Sequence, residues 1–173
     1  FVPVDTARTS VGETFYFALV GGLQEVLQPQ RLDVVMVPTR ADGDGLRHLR
    51  GMVERSIADA YVLTNTSRSD ARVDLLADAG VPFVTLGRTD REDHAALDLD
   101  FAGVARTAVA RLADDGHERL LLAVDDRDIT GNDIMIDAWE RAVDDARLEC
   151  RIVRVPDAPD GGRDLAHRLL ALD

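Results

Sequence analysis

Between residues 95 and 124 the chain reads AALDLDFAGVARTAVARLADDGHERLLLAV, and no other stretch restricts the possible folds as much. Leu97, Leu99 and Phe101 alternate with Asp98 and Asp100, the period-two pattern of a strand whose far end turns polar. Val104, Ala105, Ala108, Val109 and Leu112 then recur at three- and four-residue spacing, which gives a helix one apolar face and leaves Arg106 and Arg111 on the other. Gly116 ends that helix, because glycine takes the left-handed cap conformation without a Cβ clash. The unbroken apolar run from Leu120 to Val124 reads as a strand buried on both faces. The spacing therefore predicts a βαβ crossover.

The same alternation extends in both directions. A helix is expected from Glu13 with Phe15, Leu19, Leu23, Val26 and Leu27 on its face and Pro29 at its close. A strand follows over residues 31–37, and Asp44 can cap a helix lined by Leu46, Leu49, Val53 and Ile57. ADAYVLTNTS supplies the next strand, Val73, Leu76 and Ala77 the next helix, which stops at Gly80, and VPFVTLGR another strand. Beyond the central unit, a helix from about Asp133 to Arg147 buries Ile136, Trp139, Val143 and Ala146. CRIVRVP is then a strand, and Leu165, Leu169 and Leu170 mark a last helix. About seven strands and six helices in strict alternation predict parallel sheets covered by helices, with right-handed crossovers. One seven-stranded sheet and two smaller sheets satisfy the periodicity equally well.

Charge and composition narrow the function. The chain carries a net charge of −12 and all its basic residues are arginine, so taken alone it is repelled by duplex DNA. No apolar run approaches the ~20 residues of a membrane span, and no leader pattern opens the sequence. With Cys150 as the one cysteine, an internal disulfide is impossible; that residue is expected to be a small buried hydrophobe in a cytoplasmic protein. No G-x-S-x-G elbow, lysine-bearing phosphate loop or G-x-G-x-x-G fingerprint is present. His48, His94, His117 and His167 are scattered, so no metal site is expected, and no cofactor. The acids of PTRADGDG lack the remaining ligands of a calcium loop. Asp98 with Asp100, and Asp125, Asp126 and Asp128, read as solvated carboxylates rather than an acid and base pair. The expectation is a binding protein, not an enzyme.

The order Asp100, Leu112, Gly116, His117, Arg119 before an apolar strand resembles the segment by which lactose-repressor-type (LacI/GalR) regulators pass from one half of their effector domain to the other. The resemblance implies a periplasmic-binding-protein type I architecture of two Rossmann-like parallel-sheet halves. The N-terminal half would span residues 1–97, and residues 98–173 would form an incomplete C-terminal half. It also implies a small polar, sugar-like effector in a cleft between the halves. The helix-turn-helix that meets operator DNA would lie in an upstream domain not in this chain, and the intact protein would be a homodimer, with Met52 and Leu75 as candidate interface residues. A solute-binding protein serving a transporter is the alternative implied by the same fold.

Ligands of open α/β sheets gather beyond the carboxyl ends of the strands. Those ends carry Asp5 to Glu13, Thr64 to Thr66, Arg88, Asp100 and the loop from Asp126 to Asn132. The resemblance adds Phe15 and Tyr16, where the family's first helix sets two aromatics beside its ligand. The candidate effector-binding residues are accordingly Phe15, Tyr16, Asn65, Arg88, Asp100, Asp126, Thr130 and Asn132. One departure stands out. The family's effector-gripping arginine, three residues before a Gly-aromatic pair, falls on Met135, which offers no charged donor.

Overall fold

A computed structural model describes residues 2–5, 12–39, 44–156 and 159–170. The chain divides into two compact units, Phe1–Leu97 and Asp98–Asp173. Both are α/β, and every strand pairing among the described residues is parallel.

In the first unit, strands β1 (Val2–Asp5), β2 (Met36–Thr39), β3 (Tyr61–Thr64), β4 (Phe83–Leu86) and β5 (Ala95–Leu97) alternate with helices α1 (Gly12–Leu27), α2 (Asp44–Glu54) and α3 (Ala71–Asp78). β1 pairs with β2, from Val2 opposite Met36 to Asp5 opposite Thr39. β3, β4 and β5 form a second ladder in that order, and β1 lies against β3. Parallel strands need their faces covered, and here α2 and α3 bring Leu49, Met52, Val73 and Leu76 onto Tyr61 and Leu63 of β3. Met52 is thus core, which removes it as an interface candidate, while Leu75 packs beside it only half-buried. Ile57 falls beyond the end of α2 and is exposed.

The second unit contains helices α4 (Phe101–Asp114), α5 (Thr130–Ala146) and α6 (Pro159–Leu170), with strands β6 (Arg119–Asp125) and β7 (Glu149–Val155) paired along their full length. Its core joins Ala105 and Val109 of α4, Leu120 of β6, and Ala138, Trp139 and Val143 of α5. Gly116 takes φ +85°, and the N–H groups of Gly116 and His117 close the end of α4 on the carbonyls of Ala113 and Leu112.

Several local readings change. The alternation at residues 97–101 is not a strand: β5 ends at Leu97, Leu97 and Leu99 are exposed, and Phe101 opens α4. The cause is Asp100, whose carboxylate accepts from the Gly103 N–H at 2.8 Å and starts the helix there. Because β5 pairs with β4 and β6 with β7, α4 is not a crossover between neighbours of one sheet. Residues 31–35 are not strand either. Gln28–Gln30 form a 3-10 turn ended by Arg31 at φ 61°, so the extended run begins only at Met36. α5 starts at Thr130 rather than Asp133, and its Ala146 is exposed, as are Val26, Val104 and Leu170. Cys150 is exposed as well, accepting the Trp139 Nε1–H at 3.1 Å beside an open depression of about 420 Å³.

Leu76 is completely buried between α3 and β3. Leu76→Ala is expected to cost about 2–5 kcal/mol of stability, since the site is closed on every side. A denaturant midpoint within experimental error of the parent would show that this cluster is not the first unit's core.

Candidate functional site

The carboxyl end of β3 is finished by side chains. Asp70 caps α3, accepting the backbone N–H of Arg72 at 3.0 Å and that of Ser67 at 3.3 Å. The same carboxylate holds the Arg72 guanidinium at 2.6 Å, and that guanidinium donates onward to the carbonyls of Thr64 and Asn65, each at 3.1 Å. Asn65 sits at φ 51°, a left-handed conformation that asparagine tolerates better than most residues. The clamp therefore fixes a backbone turn that presents the Asn65 amide.

That amide donates to the Tyr16 hydroxyl oxygen at 2.9 Å, and Thr64 Oγ1 approaches the same oxygen at 3.5 Å. Tyr16 rises from α1 half-buried, while Phe15 beside it is 58% exposed and meets the tyrosine ring edge-on, with centroids 5.4 Å apart at 74°. Phe15 is not a core residue. The pair is an aromatic surface next to a hydrogen-bonded amide.

β4 ends in a turn with little freedom. Gly87 has φ +122°, and a Cβ there would lie 2.5 Å from Thr66 Oγ1, so only glycine fits. Thr66 Oγ1 donates to the Arg88 carbonyl at 3.1 Å, and Thr85 Oγ1 to the Gly87 carbonyl at 2.8 Å. With its hydrogen so used, Thr85 accepts from His94 Nε2 at 3.2 Å, and His94 stacks on Phe83. Arg88 is exposed just past this turn and is tied to the β3 end through Thr66. Tyr16, Asn65 and Arg88 are thus brought into one connected region. The loop at residues 6–11, with the first of the candidate strand ends, lies outside the described residues.

In the second unit the candidate residues have different employments. Asp100 is consumed as the α4 cap. The Asn132 amide donates to the carbonyls of Asp125 and Arg127, both at 3.1 Å, stapling the loop after β6. Asp126 is exposed, and its backbone N–H closes onto the Val155 carbonyl at 3.0 Å. Thr130 is buried at the first position of α5. Met135 packs against the core cluster. Among the described residues no group of His, Cys, Asp and Glu could hold a metal ion, and no helix is long and apolar enough to cross a membrane.

Sequence reasoning missed Arg72. The cap at Asp70 also went unread, although an aspartate just before an apolar helical pattern signals one. The reach of Arg72 back to two carbonyls has no signature in spacing.

Residues 8–172 match the family described as periplasmic binding proteins and sugar binding domain of LacI family. The chain belongs to this family. It is 28% identical over 142 residues to the HTH-type transcriptional regulator CelR of Thermobifida fusca, covering 79% of this chain and 41% of that protein. Among solved structures it is similar to a LacI family transcriptional regulator from Enterococcus faecium with bound ribose (TM-score 0.76, 21% identity, 98% of this chain and 62% of that one). It is also similar to a CelR–cellobiose complex (TM-score 0.78, 22% identity, 98% and 54%). The chain therefore spans less than two thirds of the length of these relatives, which are transcriptional regulators and not enzymes. The LacI-type resemblance of the central segment and the periplasmic-binding-protein type I fold both hold.

The Asp70–Arg72 clamp yields a pH signature. Burial pushes the Asp70 carboxyl up, but the hydrogen bonds and charge of Arg72, with the N–H groups of Arg72 and Ser67, outweigh it and hold the carboxyl below its usual value. A depressed folded value means stability that is present above the unfolded aspartate pKa of about 4 and lost as pH falls through the lower folded one. Asp70→Asn should cost about 1–3 kcal/mol at neutral pH, with the gap to the parent narrowing below about pH 4. Denaturant midpoints across that range check it, and a gap independent of pH would refute the charge-based account.

Proposed function

We propose that the chain is the effector-binding part of a LacI-type transcriptional regulator, with its two compact units as the N-terminal half and a partial C-terminal half of that domain. The effector is a small, sugar-like polar molecule, and binding controls operator DNA through an upstream helix-turn-helix in a cytoplasmic homodimer. The observation that carries this reading is the exposed Phe15 ring beside the Tyr16 hydroxyl and Asn65 amide at the end of β3, within a chain of this family. Aromatic faces next to fixed amides suit sugar rings, which present apolar C–H faces and hydroxyl edges. The ribose and cellobiose held by two related regulators support the ligand class. In this reading Phe15, Tyr16, Asn65 and Arg88 are the first unit's candidate effector contacts, and Asp100, Asp126, Thr130 and Asn132 are the second unit's. A transporter's solute-binding protein draws no support from the regulators to which the chain is similar.

For the dimer, the exposed apolar residues Phe17, Val26, Leu32 and Val35 of the first unit join Leu75 as contact candidates in place of Met52. These four exposed side chains lie on α1 or in the segment between it and β2, on one continuous stretch of chain.

Phe15→Ala and Tyr16→Ala should weaken the binding of cellobiose or ribose, whichever the protein takes, by about 1–3 kcal/mol. The unfolding midpoint of Phe15→Ala should stay within about 0.5 kcal/mol of the parent, as for an exposed position. Calorimetric titration of both sugars decides, and unchanged affinity in both variants would remove the aromatics from the site.

The 173-residue chain alone should give no specific DNA complex in an anisotropy titration at ~50 mM salt, where counterion release most favours binding. The full-length regulator should bind as a dimer. Tight binding by the chain alone, or a full-length protein sedimenting as a monomer at micromolar concentration, would contradict the proposal.

A further inference from the structure

From Phe15 onward no α1 side chain is buried, and none belongs to the core cluster that α2 and α3 build on β3. Two polar contacts tie this helix to later parts of the chain. Toward its end Gln24 Oε1 accepts the Val34 N–H at 3.0 Å, and toward its start the Tyr16 hydroxyl oxygen accepts the Asn65 amide at 2.9 Å. With so little buried area behind it, the first turns of α1 depend on where that amide stands.

The amide stands where its backbone puts it. Asn65 lies at φ 51°, and its carbonyl and that of Thr64 both accept from Arg72 Nη2 at 3.1 Å. On its other side the same guanidinium grips the two Asp70 carboxylate oxygens, through Nε at 2.9 Å and Nη2 at 2.6 Å. A planar fork seated on a carboxylate has one orientation left, so it holds two successive carbonyls in one geometry. Asp70 in turn is buried and fixed as the cap of α3. Asp70, Arg72, Asn65 and Tyr16 thus form an unbroken chain of contacts from α3 to α1.

We infer that Arg72 is a positioning residue of the effector site: without touching the ligand it sets the Asn65 backbone, and through the Asn65 amide it sets Tyr16. This inference rests on the effector-binding reading. Removing the fork frees residues 64–66 to relax toward ordinary backbone conformations, and the amide then loses the hydroxyl. Arg72 therefore matters to binding only while position 65 carries a side chain to be placed.

The test uses the full-length protein. Arg72→Lys keeps a charge for Asp70, but a compact ammonium does not bridge a carboxylate and two carbonyls. Asp70→Asn/Arg72→Met removes the clamp entirely while keeping a capping side chain and leaving no unpaired buried charge. Both are also made with Asn65→Gly, since glycine accepts the left-handed backbone and carries no amide. By calorimetric titration of cellobiose and ribose, each clamp variant should lose about ten-fold in affinity for whichever sugar the parent binds. Within the Asn65→Gly background the further loss should be under about two-fold. Parent-like affinity in Arg72→Lys, or an equal loss in both backgrounds, overturns the inference. If the parent binds neither sugar, the effector reading fails, and hydrogen exchange of residues 15–20 decides the positioning role on its own. Arg72→Lys should speed that exchange over the parent, with no further gain on Asn65→Gly, and unchanged exchange overturns the inference.

Discussion

Where a parallel strand ends, its last carbonyls and the N–H groups of the following turn lose their ladder partners, and unpaired buried backbone groups are costly. In this protein side chains meet that demand at one strand end after another. Arg72 serves the carbonyls of Thr64 and Asn65, Thr66 that of Arg88, Thr85 that of Gly87, and Asn132 those of Asp125 and Arg127. Each bond is worth only about 1 kcal/mol net, yet together they determine the backbone path of the loops after β3, β4 and β6. The rigidity of the strand ends comes first, and any recognition surface is what remains.

This ordering explains why residues of one type divide by role. Asn65 and Asn132 both follow strands, but Asn65 has its backbone carbonyl held by Arg72, which leaves its amide to reach Tyr16. Asn132 spends both donor hydrogens of its amide on its own loop. Asp70 and Asp100 both cap helices, yet Asp70 is buried against Arg72 and organises a strand end, whereas exposed Asp100 serves α4 alone. Position in the fold, more than residue identity, sets how much hydrogen-bonding capacity is left over.

The alternation of strands and helices was legible because both periodicities are long enough to average over single residues: α4 and α5 follow the 3.6-residue pattern through Val109 and Val143. Helix ends marked by glycine were legible too, at Gly80 and Gly116, where positive φ makes the residue choice almost obligatory. The misreadings fall where a pattern is only a few residues long. Five residues, Leu97 to Phe101, fit a strand and also a strand end, a cap and a first helical residue, and the Asp100 to Gly103 hydrogen bond decides between them. Likewise the apolar run before Met36 carries β propensity, but the left-handed Arg31 after a 3-10 turn redirects the chain before pairing can begin. Of the candidate site, the strand ends themselves follow from topology. Which side chains remain available there depends on bonds between residues 10 to 50 apart in sequence, such as Tyr16 with Asn65, and spacing carries no record of those.

Packing of half-buried Met135 against the second unit's core changes the energetics open to this member of its family. An arginine at a binding site supplies charge-assisted hydrogen bonds, roughly twice as strong as neutral ones, together with a desolvation cost when it is buried. Methionine supplies neither; it adds apolar packing against the second unit's core cluster. Aromatic area and a neutral hydrogen bond are what the first unit shows at Phe15, Tyr16 and Asn65. Neutral interactions of this kind are weak singly and depend on geometry, so they discriminate only if the groups are already in place. The clamp on the end of β3 holds Asn65 in such a place, so the first demand of the fold, satisfied backbone, also positions the groups around Tyr16.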